Sequence, residues 1–212
     1  MDRKLVGQVA VALLLACSGS VLCGQVPTAD APSLPALLRV VLHDAYGLSA
    51  GTREGMRRQM TDIFLRAGIE LQIAGGELNG SVLHLEKCVS PVKLRRVDLW
   101  LLSGQDEKIP EALGVAGLTG DERYQVRVFP GLVKQLARAA EWGEAELLGL
   151  VASHELGHLL IPLEEHAQAG IMQANWEPSV LRRMKHTWFL FLPEQAEAMR
   201  NSLLERPGNK VT

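Results

Sequence analysis

The sequence predicts an α+β domain in which a mixed β-sheet packs on helices, and three observations carry that prediction. Short apolar segments rich in β-branched residues alternate with segments of helical periodicity from Arg39 onward. Glycine and proline punctuate them, at Gly68, Gly143, Pro162 and Pro193. One long apolar helical run, through Leu147, Leu150 and Val151, closes on His154-Glu155-Leu156-Gly157-His158.

Arg39 to Asp44 is short, apolar and β-branched, and is the first predicted strand. Ser49 or Thr52 then caps a helix reaching Ala67, with Met56, Met60, Ile63 and Ala67 on one face. At that spacing the methionines are core rather than a flexible binding surface. Gly68 stops the helix, and Ile69, Leu71 and Ile73 alternate as a second strand. Ser81 to Glu86 reads as a further strand or hairpin arm, and Val97 to Leu102 is apolar enough to be central. A polar loop, Gln105 to Pro110, leads to the glycine-punctuated Gly114-Val115-Ala116-Gly117 and then to a strand over Tyr124 to Phe129. Leu132 to Ala140 is helical, Gly143 interrupts, and a second helix runs from Glu144 to Leu160. Pro178 to Lys185 is a short helix, Trp188 to Leu192 is extended, and Pro193 opens a final helix to Glu205. His43 and His84 read as lone structural histidines; Trp176 and Trp188 are candidates to border the cleft, with buried packing the favoured reading.

The chain opens with Met-Asp-Arg-Lys, runs apolar from Leu5 to Ala16 and continues into Cys17-Ser18-Gly19-Ser20. Residues 1–24 therefore read as a signal peptide, cleaved near Cys23 to Gln25, too short in its apolar run to span a bilayer. Leu14-Leu15-Ala16-Cys17 also resembles a bacterial lipobox, in which Cys17 carries lipid; simple secretion is the favoured outcome. The chain is thus expected to be exported, secreted or periplasmic, or else lipid-anchored to the envelope. Residues 25–36, with prolines between Val26 and Pro35, form an extended linker, and 37–212 form one domain. A hydrophobic content of 47%, 22% charged residues and a net charge of -2 exclude a disordered chain and a nucleic-acid partner. Of the three cysteines, Cys17 and Cys23 belong to the leader, which leaves Cys88 alone, a small buried side chain outside any disulfide framework.

The His-Glu-x-x-His run carries the chemistry. On a helix, residues four apart lie on one face, so His154 and His158 present two imidazoles to one ion, while Glu155 points to a neighbouring face. That is the arrangement of a zinc hydrolase, in which Glu155 takes a proton from zinc-activated water. A catalytic zinc needs a third protein ligand and an open fourth position. His166, eight residues after His158, is the leading third ligand, because Pro162 ends the helix in time for the chain to turn back; Glu164 ranks second.

These residues, with Ala169-Gly170-Ile171-Met172 downstream, resemble the metzincin-type zinc peptidases of the zincin group, in the lengthened spacing seen among bacterial secreted metzincin-like proteins. The usual metzincin spacing would place a glycine at Ile161 and the third ligand at Glu164. The resemblance implies a zincin-like fold with a small C-terminal helical part, one Zn2+ per chain, and Met172 in a methionine turn as the hydrophobic floor beneath the metal. It implies that Leu113 to Leu118 is an exposed edge strand, with Val115, Ala116 and Gly117 binding an extended peptide by strand addition; an ordinary glycine-rich turn is the competing reading. No tyrosine follows Met172 to help hold an oxyanion, so zinc and a backbone donor must serve.

The expected function is therefore an exported zinc peptidase acting as a monomer on a peptide or protein substrate, with membrane attachment only through a lipid anchor. Two other readings stand beside it. In one, Glu164 completes a closed structural zinc site in a non-catalytic binding module; in the other, the cleft of a metal-free envelope protein binds a partner.

Overall fold

In a computed structural model of the protein, residues 36–75, 95–120, 123–161, 166–174, 176–184 and 189–204 are described. The leader, most of the linker, Ser81 to Glu86, His84, Cys88, Glu164 and Trp188 lie outside the described residues. The chain order is β1 (Ala36–Asp44), α1 (Ala50–Arg66), β2 (Ile69–Gly75), β3 (Arg95–Leu101), β4 (Gly114–Leu118), β5 (Tyr124–Val128), α2 (Pro130–Ala140), α3 (Glu144–Leu160), α4 (Pro178–Met184) and α5 (Pro193–Leu204). The strands form one mixed sheet in the order β2-β1-β3-β5-β4, parallel except for β4, which runs antiparallel to β5 at the edge.

β1 alternates buried and half-buried residues along its whole length, so Leu38, Val40 and Leu42 face the helices while Arg39 and His43 take the other face. It begins at Ala36, which is buried. Parallel pairing of β1 with β2 requires a crossover, which α1 supplies. Ser49 is its N-cap, accepting from the Thr52 N–H at 3.1 Å, and Met56 and Met60 are fully buried. β3 is the central strand, as its apolar run predicts. His43, predicted to stand alone, instead pairs with Asp98 of β3 at 3.0 Å and stacks on Trp100. The register that sets His43 beside Trp100 brings β1 and β3 together across more than fifty residues of chain.

α3 departs from prediction in one respect. The periodicity implies one buried face, yet every residue from Leu147 to Gly157 is buried. α1, α2, β4 and β5 surround it, so it is a core helix whose polar residues lie within the protein. The C-terminal helices are tied back onto the rest: Arg200 of α5 donates to Ala67 O at 2.7 Å, and Trp142 Nε1 donates to Leu181 O of α4 at 3.0 Å. Among the described residues, no helix is long and apolar enough to cross a membrane.

Candidate metal centre and cleft

The last two turns of α3 carry His154, Glu155 and His158, and the chain after the helix carries His166 back toward them. Potential ligand atoms of the three histidines all lie within 4.8 Å of one another. The Nε2 atoms of His154 and His158 are 3.0 Å apart, and the His166 ring lies 5.3 Å from that of His154 and 4.9 Å from that of His158.

The turn that returns His166 is held mainly through backbone. Ala167 N donates to Met172 O at 2.8 Å, and Ile171 N donates to Leu190 O at 3.0 Å. Gly170 has φ +76°, a conformation that side-chain-bearing residues rarely adopt. Met172 is buried beneath α3 against Gly157, where a Cβ would stand 2.5 Å from Met172 Sδ and 2.9 Å from Phe191 Cε1. Glycine at 157 is thus what lets the methionine lie so close to the helix.

The same turn sets the proton position on His154. Ile171 O can only accept, so the 2.7 Å contact makes His154 Nδ1 the donor and leaves the lone pair of the neutral ring on Nε2, facing His158. Burial lowers the His154 pKa to about 4 and moves His158 in the same direction, so at neutral pH both rings are uncharged. Burial acts oppositely on Glu155, which is only 8% exposed, and pushes its carboxyl up to about 8.

These residues fit a zinc ion. Bonds of about 2.0–2.1 Å at tetrahedral angles place ligand nitrogens about 3.3 Å apart, and the donor set is imidazole nitrogen, which suits zinc and other borderline divalent ions. Two of the nitrogens are already near that separation, with one lone pair directed between them.

The histidines and Glu155 sit in a cleft of about 900 Å³ between the β4 edge and the chain from His166 to Pro178. Gly114 of β4 permits the close approach: a Cβ there would lie 2.7 Å from Glu155 Cγ and 3.1 Å from Arg127 O. β4 is an edge strand, not merely a turn. Leu113 O and Thr119 N bond to Phe129 N and Arg123 O, so the alternate residues Gly114, Ala116 and Leu118 turn their backbone groups to the open edge. Val115 and Ala116 line the cleft, and Gly117 is exposed and outside its lining.

Trp176, read as a packing residue or a cleft border, is both. It is half-buried and lines the cleft, its indole edge-on to His154 at 5.5 Å and its Nε1 donating to Gln173 O at 2.8 Å. Among the residues that sequence reasoning missed are Glu111, Leu136, Val151, Glu177 and Pro178, which line the walls. They come from four separate segments, and only tertiary structure brings them together.

No family model and no curated protein sequence matches this chain. Among solved structures it is similar to metalloproteinase-II from Bacteroides fragilis, with a TM-score of 0.47 and 11% identity over 81% of this chain and 54% of that one. It thus spans about half the length of that chain. It is similar also to a chain of the GM1-bound ECX AB5 holotoxin, with a TM-score of 0.42 and 12% identity over 83% of each.

Proposed function

We propose that this chain is a zinc-dependent peptidase in which His154, His158 and His166 hold the metal and Glu155 is the general base. The observation that carries this reading is the convergence of three imidazoles and a buried carboxyl in one cleft bordered by an open strand edge.

Each group has a chemical task. Zinc, when bound, supplies Lewis-acid polarisation of the scissile carbonyl and makes water acidic enough to attack near neutral pH. Glu155 takes the proton of the attacking water and returns it to the departing amine; burial alone raises its carboxyl to about 8, and a zinc ion bound beside it would favour the ionised form that accepts the proton. His154 is held in its ligand tautomer by Ile171 O, so the methionine-bearing turn orients one ligand and carries another. Among the described residues, Gly114, Ala116 and Leu118 keep their backbone groups unpaired at the sheet edge, where an extended peptide would add as a strand. Met172, beneath the helix at Gly157, supports the ligand end of α3.

Export belongs to the same reading and rests on the apolar stretch Leu5 to Ala16; N-terminal sequencing of the mature protein is its test. The site is tested by elemental analysis and peptide hydrolysis in the wild type and in His166→Ala. The expected outcome is one zinc per chain, weakened or lost in the variant together with hydrolysis. Zinc-free wild type after metal-replete purification would overturn the reading, and zinc that survives His166→Ala would move the third ligand to Glu164.

A further inference from the structure

We infer that Leu136 of α2 sets the size of the apolar side chain that the cleft accepts beside the scissile bond, an inference that rests on the peptidase reading and specifies its substrate. The apolar lining is contributed by Leu113, Leu136, Val151, Trp176 and Pro178. Val151 lies four residues before Glu155, about 6 Å along the α3 axis, so a side chain seated against it belongs to a residue at or next to the bond being cut. An apolar side chain there would leave water for apolar surface.

Of the five lining residues, Leu136 is the one whose side chain is not committed elsewhere. Val151 is 3% exposed and packs into the core. Trp176 is held by its bond to Gln173 O and its contact with His154, Leu113 O accepts from Phe129 N to hold β4 on β5, and Pro178 opens α4. On α2, Val133, Ala137 and Ala140 turn into the core. Leu136, three residues from Val133 and four from Ala140, flanks that face, is half-buried and reaches the cleft. The helix that carries it is fixed at both ends. Val133 N donates to Phe129 O at 3.2 Å, Trp142 N donates to Ala137 O at 2.8 Å, and the Arg182 guanidinium of α4 donates to Ala139 O. α2 does not recede without losing those bonds, so the limit that Leu136 imposes is one of shape. A wall of three branched aliphatic side chains, a proline and an indole suits a leucine or methionine, and it meets tryptophan with overlap.

The test reads a size profile. Fluorescein-labelled octapeptides that differ at one central position (glycine, leucine, phenylalanine or tryptophan) are titrated in zinc-containing buffer against Glu155→Gln protein, alone and combined with Leu136→Ala or Leu136→Phe, with anisotropy as the readout. In Glu155→Gln alone, leucine is expected to bind about tenfold tighter than glycine or tryptophan. Leu136→Ala should move the optimum to phenylalanine or tryptophan by about tenfold, and Leu136→Phe should move it toward glycine. These are ratios within one preparation, so they do not depend on how much of it is folded. Leu132→Ala, the same change at a half-buried residue of the same helix outside the cleft lining, should leave the ratios as they are. Identical profiles in all variants, a profile moved equally by Leu132→Ala, an optimum at tryptophan before Leu136 is changed, or binding of none of the peptides would overturn the inference. The wild type is then given the same peptides. Size-graded binding that follows Leu136, with no cleavage by the wild type, would sink the peptidase reading and leave the role of Leu136 standing. Cleavage of all four at equal rates, with a flat binding profile, would do the reverse.

Discussion

The two halves of the histidine cluster are built differently. His154 and His158 stand on a helix buried from Leu147 to Gly157, positioned by apolar packing against α1, α2 and the sheet. His166 is exposed and stands on a turn held by a few backbone hydrogen bonds and one buried methionine. The first half is rigid and burdened by the burial of a carboxyl and two imidazoles; the second is precise only while Met172 and Ile171 stay in place. The comparison teaches that positioning and chemistry are divided between core and surface, and substitutions on either side should fail in distinguishable ways.

The largest effect is expected on the helix side. Glu155→Gln keeps size and hydrogen-bonding capacity but cannot accept the proton, so kcat should fall about a thousandfold while zinc content stays at one per chain. Activity near wild type would remove Glu155 from the mechanism. Where helix meets turn, Gly157→Val drives a side chain into Met172 Sδ, and overpacking of this kind costs about 1–3 kcal/mol. The expected signature is a lowered Tm together with weakened zinc binding, since Met172 and His166 share one turn; zinc affinity that stays constant while Tm falls would uncouple them.

A third substitution sharpens the comparison at the cleft's opposite wall. Gly114→Ala places a Cβ against Glu155 Cγ and the fixed backbone of β5, whereas Gly117→Ala meets nothing within 4 Å. The first should lower kcat about tenfold through misplacement of the base and the second less than about twofold. Equal rates for the two variants would mean that Glu155 does not depend on the β4 backbone.

The smallest effect is on the metal-free protein's stability against pH. Glu155 is raised from 4.5 to about 8, so its contribution is complete below pH 4.5 and lost as pH rises through 8. His154 is lowered from 6.5 to about 4, so its contribution is complete above pH 6.5 and lost as pH falls through 4. His158 is lowered in the same direction as His154, so below pH 6.5 two histidine slopes outweigh that of Glu155, and Tm should peak near 6.5 and decline toward both 4 and 8. Glu155→Gln should flatten the alkaline decline alone, which thermal melts in chelator would reveal.

Much of this was legible from residues. The apolar, β-branched run from Arg39 to Asp44, the cap at Ser49, Gly143 before α3 and Pro193 before α5 are local signals, and local structure follows them. The histidine cluster was legible because helical spacing fixes two members and a short return brings the third. The pairing of His43 with Asp98, the Gly114–Glu155 approach and the places of Leu136 and Val151 in the cleft wall were not. Each joins segments distant in sequence through sheet register or a shared wall, and no spacing rule encodes that. Burial of α3 on every side was illegible for a related reason: surrounding elements, not periodicity, decide how much of a helix sees water.

Trp176 gives the cleft an optical property. Its indole meets the His154 ring edge-on, so whatever changes the charge or occupancy of that imidazole changes the electronic surroundings of the fluorophore. Emission from Trp176, isolated by replacing the chain's three other tryptophans with phenylalanine, would respond at the ligand itself, so that binding and release become visible in a cuvette without a substrate.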